Sequence, residues 1–371
     1  MGEMKALFEQ GVKWLHHRDY EAAIVLFDQV LQHDPDYTDA WACRGLALAH
    51  LKQYPECIEN FDRAIDLQPS NYQALLNRGI ALGEWGKHKE ASANFDRMLI
   101  YYPDSYEAWE GKANSLAFIE KYTEALNCYD RALEFNPHYY KAFANRGNVL
   151  IDQGRFKAAM RSYDQAISIQ PDDPEVWFNR GCGFMAWEKA EEALDSFDRA
   201  IAINPNHASS WVNRGNMLAK LGRQKECLEA TERAVEINPN CTHAWNNRAL
   251  ALRRLGRVKE AIASYDKSLV CDPKNYEAWD NRGYAFAKIG KYKEAHKSID
   301  MSLEVKPDHA NGIYNKGYCY ACEGKTTLAV DCIARAIELK RAKYLSLAQT
   351  DPDLKPLHKN KRFQKLVGKT F

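Results

Sequence analysis

The chain contains no apolar run near the roughly 18 residues that a membrane-spanning helix needs, so no membrane insertion is expected. Charge of one sign is not in excess. The 51 Lys and Arg stand against 50 Asp and Glu, leaving a formal net charge of +1. A general nucleic-acid binder needs a basic stripe, and this balance argues against one. The first residues, MGEMKALFEQGVKW, lack the apolar stretch of a secretory signal, and Ala6 stands where a myristoylation pattern needs Ser or Thr. Cysteines number ten, but the lone Cys319-x-x-Cys322 has no second pair at zinc-site spacing. Cys57 and Cys227 stand at a repeat position that is Ala in the other eight units, and read as small buried residues of a reducing, cytoplasmic compartment. Histidines are scattered without a triad-like grouping, and no phosphate-binding glycine loop occurs. We therefore expect no catalytic residue, no metal and no cofactor, and do not read the chain as an enzyme.

Proline is scarce as well, at 13 residues, yet nine of them fall at 35, 69, 103, 137, 171, 205, 239, 273 and 307. Each step is 34 residues, which says that one unit has been copied along the chain. With proline at position 32, ten repeats start at residues 4, 38, 72, 106, 140, 174, 208, 242, 276 and 310. Position 4 is a large apolar residue, most often Trp. Position 8 is Gly except at Ala113 and Ala249. Position 20 is Ala or Cys, and position 24 is Phe or Tyr except at Thr231, Ile299 and Ile333. Apolar residues at spacings of 3 and 4 mark a buried helical stripe, and small residues let two helices approach. Gly86, Gly154, Gly222, Gly256, Gly290 and Gly324 mark the turn between them. The pattern predicts an all-α stack of antiparallel helix pairs over residues 4–343, followed by a cap or tail over residues 344–371.

This order of Trp, Gly, Ala, aromatic and Pro resembles the tetratricopeptide repeat family, in the style of bacterial and cyanobacterial arrays. The resemblance covers residues 4 to about 341 and implies a right-handed α-solenoid superhelix. One departure is systematic. Position 7 is basic in repeats 2 to 10, from Arg44 to Lys316, where the family has Leu. Position 25 is acidic in repeats 1 to 9, from Asp28 to Asp300. The acid of one repeat and the base of the next supply a pair at each of nine junctions, which predicts a ladder of salt bridges such as Asp164 with Arg180. Two separately solvated charges are the alternative.

The resemblance also implies that partners lie along the concave face built by the first helices. Position 6 there reads Asn77, then Asn145, Asn179, Asn213, Asn247, Asn281 and Asn315. An amide offers both a donor and an acceptor, so such a column can hold an extended backbone without reading its side chains. Beside it, Lys220, Arg253, Arg254 and Lys288, with Tyr284, Tyr314 and Tyr318, predict a stretch that prefers an acidic segment. The lysine of a carboxylate clamp is missing from position 5, which argues against a chaperone-tail binder. The closing segment, from Lys340 to Phe371, holds nine Lys or Arg against Asp351 and Asp353. Its Ala348, Leu354, Leu357, Phe363, Leu366 and Val367 suit the open end of a stack. Arg341 replaces the tenth proline, so the last repeat helix is expected to run into this cap. The chain is thus read as an adaptor or scaffold that binds an extended protein or peptide segment. A structural assembly factor working through its convex face or ends, with self-association, and a sensor of short peptides are the alternatives.

Overall fold

The computed structural model describes residues 2–368, and among them every regular element is helical. The chain divides into two compact bodies, Met1–Trp187 and Glu188–Phe371. The first body contains α1 (Gly2–His16), α2 (Tyr20–His33), α3 (Thr38–His50), α4 (Tyr54–Leu67), α5 (Tyr72–Glu84), α6 (His88–Tyr101), α7 (Tyr106–Phe118), α8 (Tyr122–Phe135), α9 (Tyr140–Asp152), α10 (Phe156–Ile169) and α11 (Pro174–Ala186). The second contains α12 (Ala190–Ile203), α13 (Ala208–Lys220), α14 (Gln224–Ile237), α15 (Thr242–Arg254), α16 (Val258–Cys271), α17 (Tyr276–Lys288), α18 (Tyr292–Val305), α19 (Ala310–Cys322), α20 (Thr326–Leu339), α21 (Arg341–Thr350) and α22 (Lys361–Val367). A 3₁₀ segment, Pro352–Leu357, joins the last two. Within each body, consecutive helices pack as antiparallel pairs, and neighbouring first helices also touch, as α5 does α7 and α17 does α19.

The turn inside each repeat needs a left-handed residue at position 15, and all ten have one. Glycine fills six of these places. Arg18, Lys52, Glu120 and Glu188 fill the others at φ of 60–63°. Close approach explains the glycine at position 8. A Cβ on Gly147 would lie 2.7 Å from the Tyr163 ring, so the bare backbone seats the aromatic of position 24. Those aromatics, with the position-20 residues, form the buried interior: Phe27, Phe61, Tyr129, Tyr163, Phe197 and Tyr265 are all essentially inaccessible.

The proline and tryptophan of the pattern meet across each junction where both occur. The indole Nε1 of Trp41, Trp109, Trp177, Trp211, Trp245 and Trp279 donates to the carbonyl of the proline six residues earlier, at 2.7–2.9 Å. The salt-bridge ladder forms as well. Five rungs lie in the first body: Asp28–Arg44, Asp62–Arg78, Asp96–Lys112, Asp130–Arg146 and Asp164–Arg180, at 2.6–3.0 Å. Four lie in the second: Asp198–Arg214, Glu232–Arg248, Asp266–Arg282 and Asp300–Lys316, at 2.5–2.9 Å. The acids stay about half exposed, so each rung is worth about 1 kcal/mol or less. Geometry is the larger gain. Arg44 also donates to Asn60, Arg146 to Ser162, Arg248 to Ser264 and Arg282 to Ser298, all at position 23. One guanidinium therefore ties its own repeat's second helix to that of the repeat before.

The end of the array differs from expectation. α20 does not run on through Arg341. It stops at Leu339, and Lys340 breaks the path at φ −144° before α21 begins. Burial explains the break. Tyr344, Ala348, Leu354, Leu357, Phe363 and Val367 form one apolar cluster with Ala329, Val330, Ile333, Ala336 and Ile337 of α20. A straight helix could not turn these side chains back onto the last repeat.

Candidate functional site

The first helices carry every residue of the amide column, but the column is not uniform. Asn145 donates from Nδ2 to Glu110 Oε1 at 3.0 Å and to Asn114 Oδ1 at 3.3 Å. Asn247 donates to Asn216 Oδ1 at 2.5 Å, and the buried Asn315 to Asp280 Oδ1 at 2.7 Å. Each of these amides is spent on the first helix of the preceding repeat. Asn213 accepts from Asn216. Asn77, Asn179 and Asn281 are half-buried and make no side-chain hydrogen bond among the described residues. Three of the seven amides thus act as joints between repeats, and three are open to another group.

The position-9 asparagines have a partner that sequence reasoning did not find. The Tyr129 hydroxyl donates to Asn114 Oδ1, and that of Tyr163 to Asn148 Oδ1 at 2.6 Å. Asn216 belongs to the repeat with Thr231 at position 24. With no phenol to accept from, it accepts from Asn247 instead. The signal was present as Asn at 9 with Tyr at 24, fifteen residues apart.

The cationic and tyrosine residues gather in the second body, on α15, α17 and α19. Arg253 lies over the Tyr284 ring at 4.9 Å, and Tyr284 and Tyr318 tilt against each other at 5.3 Å. Tyr314 and Tyr318 are only 3% and 5% exposed, so they do not face an open groove. The reason is the closing segment. Asp351 Oδ2 accepts from the Tyr314 hydroxyl at 2.9 Å. Asp353 accepts from Tyr284 at 3.2 Å and pairs with Lys288. Leu347, Thr350 and Pro352 complete the walls of a 410 Å³ hollow around Arg253, Asn281 and Asn315. Asp353 holds the Lys288 ammonium above the usual lysine range. Lys220 stands apart and exposed, and Arg254 Nη1 donates to the Ala219 carbonyl at 3.1 Å. The stretch expected to hold an acidic segment therefore holds one from its own chain. Sequence reasoning counted Asp351 and Asp353 as the minority charges of a basic tail and did not connect Asp351 with Tyr314, 37 positions earlier, or Asp353 with Lys288 and Tyr284, 65 and 69 positions earlier.

All ten cysteines are free thiols. Burial pushes the Cys57 and Cys319 thiols up to about 12 and that of Cys227 up to about 11, which suits packing rather than reactivity. No described helix is long and apolar enough to cross a membrane.

Comparisons place this architecture. Tetratricopeptide repeat profiles match residues 38–71, 106–139, 208–241, 225–276 and 264–297, and a profile described as TPR repeat matches 147–182. Together these matches take in more than half of the chain. A protein prenyltransferase alpha subunit repeat profile matches residues 190–221. No curated protein matched the chain. Among solved structures, a tetratricopeptide repeat protein from Parabacteroides merdae is 18% identical with a TM-score of 0.52, covering 68% of this chain and 98% of its own. YrrB, a TPR protein with an unusual peptide-binding site, is 25% identical with a TM-score of 0.45, covering 51% and 97%. MamA from Desulfovibrio magneticus is 20% identical with a TM-score of 0.43, covering 46% and 96%. The repeat pattern, the helix pairs and the matched profiles agree: the chain belongs to the tetratricopeptide repeat family.

Proposed function

We propose that this protein is an adaptor that holds an extended segment of a partner protein on the surface of its first helices, in a reducing compartment and without catalysing a reaction. Proteins of this family mediate protein–protein interactions. The observation that carries the finer reading is the closing segment itself. Asp351 and Asp353, which follow α21, pack against first helices α17 and α19, with their carboxylates bonded to Tyr314, Tyr284 and Lys288. A pair of carboxylates at the start of a 3₁₀ turn, bound by tyrosine hydroxyls and an ammonium, is the chemistry that the cationic column favours, here supplied by the chain. An acidic partner segment at this place competes with it. The open amides Asn77, Asn179 and Asn281 are the groups left to hold a visiting backbone.

Peptide display against the full chain, followed by titration of the selected peptides, tests the reading. Replacing Asn77, Asn179 and Asn281 by Ala should weaken binding about a hundredfold and leave the melting temperature unchanged, because each of the three lost hydrogen bonds is worth about 1 kcal/mol. Peptides that bind this variant as tightly as the parent chain would overturn it.

A further inference from the structure

On the first body, a cavity of 390 Å³ opens between α5 and α7. Two departures from the repeat create it. Repeat 4 has Gly111 at position 6, where the amide column has asparagine, and repeat 3 has Gly83 at position 12. A Cβ on Gly111 would lie 2.3 Å from the Phe95 ring, so the bare backbone lets that ring form the floor. A Cβ on Gly83 would meet nothing within 4 Å, so the space beside it is empty. Leu76, Ile80 and Phe118 make apolar walls. Ile80 is 46% and Phe118 72% exposed, and His88 stacks flat on Phe118 at 4.3 Å. Contiguous apolar surface of this kind gains by being covered.

Charge says what covers it. Glu84, Glu107 and Glu110 line the cavity. An adjoining hollow of 250 Å³ shares Asn114 and Phe118 and adds Asp152. Lysine and arginine are missing from both linings. None of the four carboxylates has a salt-bridge partner among the described residues. Glu107 accepts from the Tyr72 hydroxyl at 2.9 Å, and Glu110 from the amides of Asn114 and Asn145. A carboxylate without an ion-pair partner beside an apolar hollow attracts a cation whose neighbour fills the hollow and repels acidic chains.

We propose that this pocket binds a partner segment presenting a large apolar side chain next to lysine or arginine. The proposal rests on the first helices being the binding face, and it assigns the first body a partner chemistry opposite to that of the Lys288 region. Fluorescence anisotropy with three labelled peptides tests it, carrying Lys-Trp-Lys, Glu-Trp-Glu or Lys-Ala-Lys between the same Gly-Ser flanks. The Lys-Trp-Lys peptide should bind about tenfold tighter than either other, the yield of one buried aromatic or of the charge match. Gly83→Leu fills the cavity from a helical site with room for the side chain, and should cost about tenfold with the melting temperature held or raised. Glu84→Gln should weaken Lys-Trp-Lys binding and reduce its salt dependence. Equal binding of the three peptides, no binding of any, or full binding by Gly83→Leu would overturn the pocket. Those results leave the amide-variant test of the binding face standing, so the two readings fail separately.

Discussion

At the scale of single residues, a few side chains set each junction. The position-7 base stacks on the position-4 tryptophan, as Arg214 does on Trp211 at 5.7 Å, while reaching the acid of the repeat before. Cation, ring and carboxylate thus fix one another. Glu110 is a largely buried carboxylate. Burial raises its carboxyl above the ordinary range, and the amides of Asn114 and Asn145, the Lys141 charge and the Tyr139 hydroxyl only partly offset this. Tyr129 also feels its charge. The sign follows from linkage. A raised folded value means that the native state holds the proton more firmly than the unfolded chain. Glu110 thus favours folding most below a pH of about 4, and this advantage is lost as pH rises through its folded value. Glu110→Gln, which still accepts both amides, should raise the melting temperature at neutral pH and lose that gain in acid. Melts across this range check it, and a gain that is independent of pH would contradict the assignment.

At the scale of elements, the turn is where phase outranks residue type. Position 15 is left-handed in every repeat, whichever residue fills it. Glu120 is exposed and sits there at φ 60°, so Glu120→Gly should stabilise the chain by about 1 kcal/mol, the penalty of a side chain in that region. The same substitution at Ile119, before the left-handed site, should destabilise it. Chemical denaturation measures both. This also shows what was legible in the sequence. Helix pairs, turns and the charge ladder follow from a fixed phase, because acid and base stand sixteen residues apart at every junction. Other features depended on volumes and on folding back. The break in the amide column at repeat 4 could be read from the residues, but that it opens a cavity follows only from where the Phe95 ring sits. The column's asparagines read as equivalent, yet Asn145, Asn247 and Asn315 face neighbours whose position-5 and position-9 residues happen to accept. The stop at Lys340 reflects the apolar cluster of the tail, which local propensity does not encode.

At the scale of the molecule, two bodies built from one repeat carry different chemistry on their first helices. The first presents an apolar hollow edged with carboxylates, and the second presents tyrosines and cations matched by the chain's own acids. Repetition supplies the frame, and substitutions at positions 5, 6, 9, 12 and 13 make the first helices of one repeat differ from those of the next. The central claim is that first helices are the face that receives partners. Its most direct test is photo-crosslinking of a display-selected peptide carrying a diazirine, with the attachment sites read by mass spectrometry. The account predicts crosslinks on first helices, from α5, α7 and α9 in the first body or α13, α15 and α17 in the second. Crosslinks confined to second helices such as α6, α8 or α16 would contradict it.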